Sequence, residues 1–224
     1  MNDRVKTCKY LIEQGTADVN ALGGNIPATP LQLAARKGLV KIIDLHIQHG
    51  ANPRLVDPKG FSCLHSVTHS SDFRAVLYII ICQPDLDIDV KDHSGLTPLH
   101  WAARQGDEVS VQILLKYGAN PRAVDHDGLT ALHWAARGAA SGGNRSCISL
   151  LLEAGADIRA NDKGEHAVQE MADEAAWDTV VGELGLKSDG MRIRRPLSEV
   201  CVLLACKTCS SRALAPSPED TNSP

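Results

Sequence analysis

Histidine and cysteine are the residues of this chain best suited to chemistry, nine and seven of them among 224. Their spacing is poor in catalytic patterns. His65 and His69 lie four apart, the interval that puts two imidazoles on one helix face, but no Glu, Asp or third His accompanies them. His46 and His49 fall near the end of an apolar helical stretch, where a cationic ring favours the helix dipole. Cys206-Lys207-Thr208-Cys209 offers half of the four ligands that a structural zinc site needs. Gly138 to Asn144 is rich in Gly and Ser, yet lacks the Lys-Ser/Thr ending of a phosphate-binding loop, so it reads as an insertion. No catalytic residue, metal ligand or cofactor is therefore expected. What remains is recognition chemistry: Trp101 with Arg104, and Trp134 with Arg137, the two residue types most enriched at binding hot spots.

The elements that position these pairs form a repeat. Thr29-Pro30-Leu31-Gln32-Leu33-Ala34-Ala35, Ser62-Cys63-Leu64-His65, Thr97-Pro98-Leu99-His100-Trp101-Ala102-Ala103 and Thr130-Ala131-Leu132-His133-Trp134-Ala135-Ala136 align, with a weaker copy at His166 to Ala172. Their starts are 33, 35, 33 and 36 residues apart. Gly50-Ala51-Asn52, Gly118-Ala119-Asn120 and Gly155-Ala156-Asp157 recur in the same phase, as do the turn pairs Lys59-Gly60, Ser94-Gly95, Asp127-Gly128 and Lys163-Gly164. Thr or Ser caps a first helix, Pro fits its first position, and Leu with paired Ala suits close helix contact. Ile42-Ile43-Leu45-Ile47, Val111-Ile113-Leu114-Leu115 and Ile148-Leu150-Leu151-Leu152 are the apolar stripes of second helices, each ended by Gly.

These motifs identify the chain as a member of the ankyrin-repeat family. The resemblance implies an all-α solenoid of helix–turn–helix repeats with β-hairpin tips. A partial repeat is expected at 1–20, then repeats at 21–54, 55–90, 91–122 and 123–158, and a C-terminal capping repeat at 159–186. Val5 to Gln14 reads as a second helix without its first, so the array is expected to begin part-way through a repeat. In ankyrin arrays the residue after the His slot and the one three later face a concave groove. Here those pairs are Leu33/Arg36, Ser66/His69, Trp101/Arg104 and Trp134/Arg137. The first expectation for them is a partner-binding surface. The competing one is that each Trp only packs beneath its neighbouring hairpin, with Arg as solvated rim.

Cys8 to Gly15, the entry Ala21-Leu22-Gly23-Gly24, and the exit from Trp177 through Arg192-Ile193-Arg194-Arg195-Pro196 resemble the ankyrin domain of fungal-type DHHC palmitoyltransferases, over about residues 5–199. The resemblance implies a domain that recruits protein substrates to an acyltransferase in Golgi or endosomal membranes, its repeats facing the cytosol. It also implies a concave Trp, as in animal relatives, at the slot that here holds Leu33; the expected binding centre moves to Trp101 and Trp134. No Asp-His-His-Cys occurs, and only six apolar residues, Val200 to Ala205, follow Glu199. The chain as it stands is thus expected not to transfer acyl groups and to be a truncated or misassigned version of its parent. The alternative is a free-standing ankyrin adaptor with no enzymatic parent.

Composition agrees with a recognition module. A formal charge of −4 excludes a general nucleic-acid binder. The longest apolar run, Ala75 to Cys82, is far short of the roughly 20 residues of a membrane span. Residues 1–20 lack a signal-peptide core, so a cytoplasmic monomer with free thiols is expected. Cys8, Cys82 and Cys147 read as apolar fillers of helices, and Cys63 as half-exposed at a slot usually held by Pro. Lys187, Arg192, Arg194 and Arg195 in the exit segment 187–199 are candidates for weak contact with an anionic membrane surface. Residues 200–224 read as a disordered tail. The expected partner is an extended peptide segment of another protein.

Overall fold

The computed structural model describes residues 2–15, 17–23, 27–139, 145–160 and 163. The capping repeat expected at 159–186 lies almost wholly outside these residues, as do 187–199 and the tail.

Nine helices run along the described chain: α1 (Asn2–Glu13), α2 (Pro30–Arg36), α3 (Val40–Gln48), α4 (Cys63–Thr68), α5 (Phe73–Cys82), α6 (Pro98–Gln105), α7 (Glu108–Lys116), α8 (Ala131–Ala139) and α9 (Arg145–Glu153). They form two rows. The short helices α2, α4, α6 and α8 each pack on the next, and so do α1, α3, α5, α7 and α9. α1 therefore belongs to the second-helix row, as its sequence indicates.

The inner row is close-packed because its side chains are small. Ala34, Ala35, Ala102, Ala103, Ala135 and Ala136 are buried, and Leu31, Leu64, Leu99 and Leu132 fill the remaining space. Each such Leu contributes about 1.5–3 kcal/mol by burial. The outer row contributes Ile43, Val76, Ile79, Val111, Leu114, Ile148 and Leu151, all shielded from solvent.

The starts of α2, α4 and α6 are each stitched to the following repeat by one side chain. In α6 the Thr97 amide donates to His100 Nδ1 (3.1 Å), and His100 Nε2 meets the Leu129 carbonyl oxygen one repeat on (3.1 Å). His65 does the same from Ser62 to Leu96. Gln32 substitutes for the imidazole, its Oε1 accepting from Thr29 and its Nε2 donating to the Leu55 and Phe61 carbonyl oxygens. An imidazole whose Nδ1 accepts and Nε2 donates is neutral. Burial lowers the pKa of both rings, His100 to about 4.

Among the described residues the tips are tight turns, with two isolated antiparallel bridges, Gly23 to Ala28 and Val124 to Thr130. The Asp-x-x-Gly turn consumes the hydrogen bonds that longer strands would exchange: Asp57, Asp92 and Asp125 each accept two backbone amides through Oδ1. Successive tips nest. The His93 amide donates to Lys59 and that of His126 to Ser94, which places the His126 backbone 2.8 Å from where a Cβ on Gly95 would lie.

Two cysteine readings change. Cys63 is completely buried, because the first turn of an inner helix is clasped by both neighbouring repeats; burial pushes its thiol up to about 12. Cys82 ends α5 exposed and fills no core, whereas Cys147 is buried and Cys8 half-buried.

Candidate functional site

The inner helices put the sequence-selected residues on one side of the stack. Trp101 and Trp134 hold matching places on α6 and α8, are half-buried, and are followed one turn later by exposed Arg104 and Arg137. The Arg104 guanidinium carbon lies over both indoles, 5.3 Å from the Trp101 ring centre and 5.2 Å from that of Trp134. Arg137 lies over Trp134 at 5.2 Å. The order along the face is therefore Trp101, Arg104, Trp134, Arg137, an alternation of rings and cations whose contacts are worth about 0.5–1 kcal/mol each at exposed sites.

Each indole is also pinned from the turn side. Trp101 Nε1 donates to Asp92 Oδ2 (3.0 Å) and Trp134 Nε1 to Asp125 Oδ2 (2.9 Å). Both carboxylates are buried, with Oδ1 already holding two amides of their turn. Packing beneath the hairpin and presentation of a face to the groove thus occur together: the Asp fixes one edge of each ring while Arg stacks on its face. Phe61 meets Trp101 edge-on at 5.4 Å, and His69 approaches the same ring at 6.5 Å.

Between the ladder and the turn tips runs a groove of about 530 Å³, lined by Phe61, Leu96, Trp101 and Trp134 with Arg104, Asp92 and Asp125 at its polar edges. Leu33 and Arg36 are exposed on α2, on the same row but outside this groove. His69, as the C-cap of α4, is exposed at its border. Lys187, Arg192, Arg194 and Arg195 lie outside the described residues.

Sequence reasoning missed Phe61, Asp92 and Asp125 as parts of the site. A signal exists: an Asp stands nine residues before Trp101 and before Trp134, and the same interval from Asp57 ends on Ser66, where no indole is held. Among the described residues no three or more His, Cys, Asp or Glu are grouped to bind a metal ion. His65 and His69 do not converge, since the first is buried in its cap and the second exposed. His46 and His49 instead place Nδ1 on the Ile42 and Leu45 carbonyl oxygens, each 2.8 Å away.

Comparison with known families agrees with this geometry. Residues 64–162 match the family described as ankyrin repeats (3 copies), and residues 28–58 match the single ankyrin repeat, together more than half of the chain. The chain belongs to the ankyrin-repeat family. The ankyrin array is similar to Palmitoyltransferase AKR1 of Lachancea kluyveri, 44% identical over 125 residues, 55% of this chain and 17% of that protein. The same enzyme of Debaryomyces hansenii is 36% identical over 80% of this chain and 23% of its own length. That of Eremothecium gossypii is 39% identical over 87% and 26%. The matched ankyrin region thus spans about a quarter or less of these curated relatives. Among the described residues no helix is long and apolar enough to cross a membrane.

Proposed function

We propose that this ankyrin array recruits protein substrates for S-palmitoylation by taking an extended segment of each along its concave face. The observation that carries the reading is the Trp101–Arg104–Trp134–Arg137 ladder. Two indoles fixed at their edges and stacked by guanidinium groups give flat apolar area and forked donors with little conformational freedom left to lose. The acyltransferase link is supported by the similarity to the AKR1 palmitoyltransferases over most of this chain. The array works as a monomer beside a Golgi or endosomal membrane. Four basic residues less Asp189 leave +3 over Lys187 to Arg195, which draws the array toward anionic lipid at about 1 kcal/mol per basic residue.

The test is capture of partners by the immobilised chain from a cell extract, followed by hydroxylamine-dependent labelling of thioester-linked proteins. The captured set is expected to be enriched in S-acylated proteins over the extract, and the enrichment to vanish with Trp101→Ala plus Trp134→Ala. A captured set no richer in thioesters than the extract would favour an adaptor unconnected with acyl transfer.

A further inference from the structure

The groove beside the ladder has two unlike walls. Arg104 stands on the helix wall, stacked between the two indoles, while Asp92, Asp125 and Asp127 stand on the turn wall with Lys59 and His93. Carboxylates thus outnumber permanent cations along the lining. They differ in how far the fold already uses them. Asp92 and Asp125 are buried, and each holds two backbone amides and one indole N–H. Asp127 is exposed, and only its backbone is engaged: its amide donates to Asp125 Oδ1, and its carbonyl oxygen accepts from the Lys163 amide. Among the described residues no donor reaches its carboxylate. At the Phe61 end, Asp57 accepts two amides through Oδ1. Its Oδ2, which in the next two repeats holds an indole, receives no donor among the described residues, because Ser66 occupies the Trp slot. The lysines of the neighbouring tips are turned to the backbone, Lys91 Nζ donating to the Val124 carbonyl oxygen and Lys163 Nζ to that of His126.

We infer that the extended segment taken by this groove carries a basic side chain, Lys or Arg, whose stem lies against Phe61, Trp101 and Trp134 and whose charge is directed at Asp127. This deepens the peptide-recruiting reading above and rests on it. A long basic side chain is amphipathic: its methylenes cover apolar surface while its head reaches a polar rim. The groove offers both, with aromatic rings along its length and an uncommitted carboxylate at one edge. The rings add attraction of their own for a cation. Asp92 and Asp125, although saturated, keep their negative charge and place it on the same wall as Asp127, which reinforces the field there. An acidic side chain would meet three carboxylates on that wall, and a purely apolar one would leave Asp127 without a partner. Arg104 on the helix wall sets the direction, because it repels a basic head from that side and turns it toward the tips.

The experiment is selection of random short peptides on the full-length chain, with sequencing of the retained pool. Lys and Arg are expected to be enriched about threefold over the starting library, inside the roughly fivefold ceiling of one exposed ion pair. Asp127→Asn keeps the side chain's shape, breaks no side-chain hydrogen bond of the described fold, and is expected to abolish that enrichment. Glu108→Gln, which removes an exposed charge from the outer row, is expected to leave it intact. Selection on the unsubstituted chain at about 1 M salt, where the screening length is about 3 Å, should abolish it without any substitution. Enrichment that survives Asp127→Asn or high salt, or that Glu108→Gln removes equally, would overturn the inference, as would a pool enriched in Asp and Glu. If the pool shows no charge bias but is lost with a Trp101→Ala chain of unchanged circular dichroism, peptide recruitment stands and the basic preference alone falls. A pool unchanged from the library would overturn both.

Discussion

Replacing Asp92 by Asn tests whether the turn, and not the helix alone, holds Trp101 in place. Asp92 Oδ1 accepts from the Ser94 and Leu96 amides at 2.8 and 3.0 Å, and Oδ2 from Trp101 Nε1 at 3.0 Å. Asn keeps a carbonyl oxygen for the two amides but turns an NH2 group toward the indole N–H, so two donors face each other. Asp57 provides the control, since its Oδ1 accepts from Lys59 and Phe61 at 2.8 and 2.9 Å while the residue nine positions on is Ser66. Asp57→Asn loses only charge assistance to the turn, about 0.5–1 kcal/mol. Asp92→Asn adds an unsatisfied, half-buried N–H, about 1–3 kcal/mol more. Urea unfolding followed by circular dichroism should separate the two variants by about 0.5–1 M in midpoint, given slopes of about 1–3 kcal/mol per M. Asp92→Asn should also raise the quenching of Trp fluorescence by acrylamide, and Asp57→Asn should not. Equal midpoints and equal quenching would show that the indole hydrogen bond is not what fixes the ladder.

Three further outcomes are expected from the packing. Leu99→Ala or Leu132→Ala, each at a completely buried position between inner helices, should cost about 2–5 kcal/mol in denaturant unfolding. Because burial lowers the folded-state pKa of His100 to about 4 and that of His65 in the same direction, their stabilising contribution is complete above the unfolded value of 6.5 and is lost as pH falls toward 4. For His100 the loss is at most about 3 kcal/mol, and His100→Gln, copying the Gln32 stitch, should flatten that acid limb in unfolding measured from pH 7 to 4. Gly95→Ala meets the His126 backbone at 2.8 Å with φ at +80°, whereas Gly118→Ala, φ +95°, has nothing within 4 Å. Gly118→Ala should therefore cost about 1–2 kcal/mol for the left-handed backbone, and Gly95→Ala more, by the same unfolding assay.

The architecture was legible because every repeat must solve the same problem with the same few residue types. Thr97-Pro98 starts a helix and Leu99 with the Ala pair buries it, roles visible from spacing, whereas the tie from His100 to the next repeat appears only in the fold. The ladder was half legible. The periodicity placed Trp101, Arg104, Trp134 and Arg137 on one face, but it could not show that Arg104 lies over two indoles from different repeats, because that contact depends on the stacking between α6 and α8. The role of Asp92 and Asp125 was hidden for a different reason. Asp before a Gly turn already has a sufficient local explanation, and the second oxygen's use appears only when the turn folds back over its own inner helix. Cys63 was misread as half-exposed because a Pro slot at a helix start suggests a surface, whereas stacked neighbours close over the first turn here. Cys82 shows the converse, since an apolar run predicts burial on average but leaves one end of α5 in solvent.

The central claim is that the Trp–Arg ladder is the partner-binding surface. It is tested most directly by titrating a captured partner segment against Trp101→Ala and Trp134→Ala, with exposed Lys116→Ala on the outer row as control. Each Trp substitution is expected to weaken binding by about 2 kcal/mol or more, roughly thirtyfold, and Lys116→Ala to leave it unchanged. Equal, small effects at all three positions would contradict the account and move the binding surface off the Trp–Arg ladder.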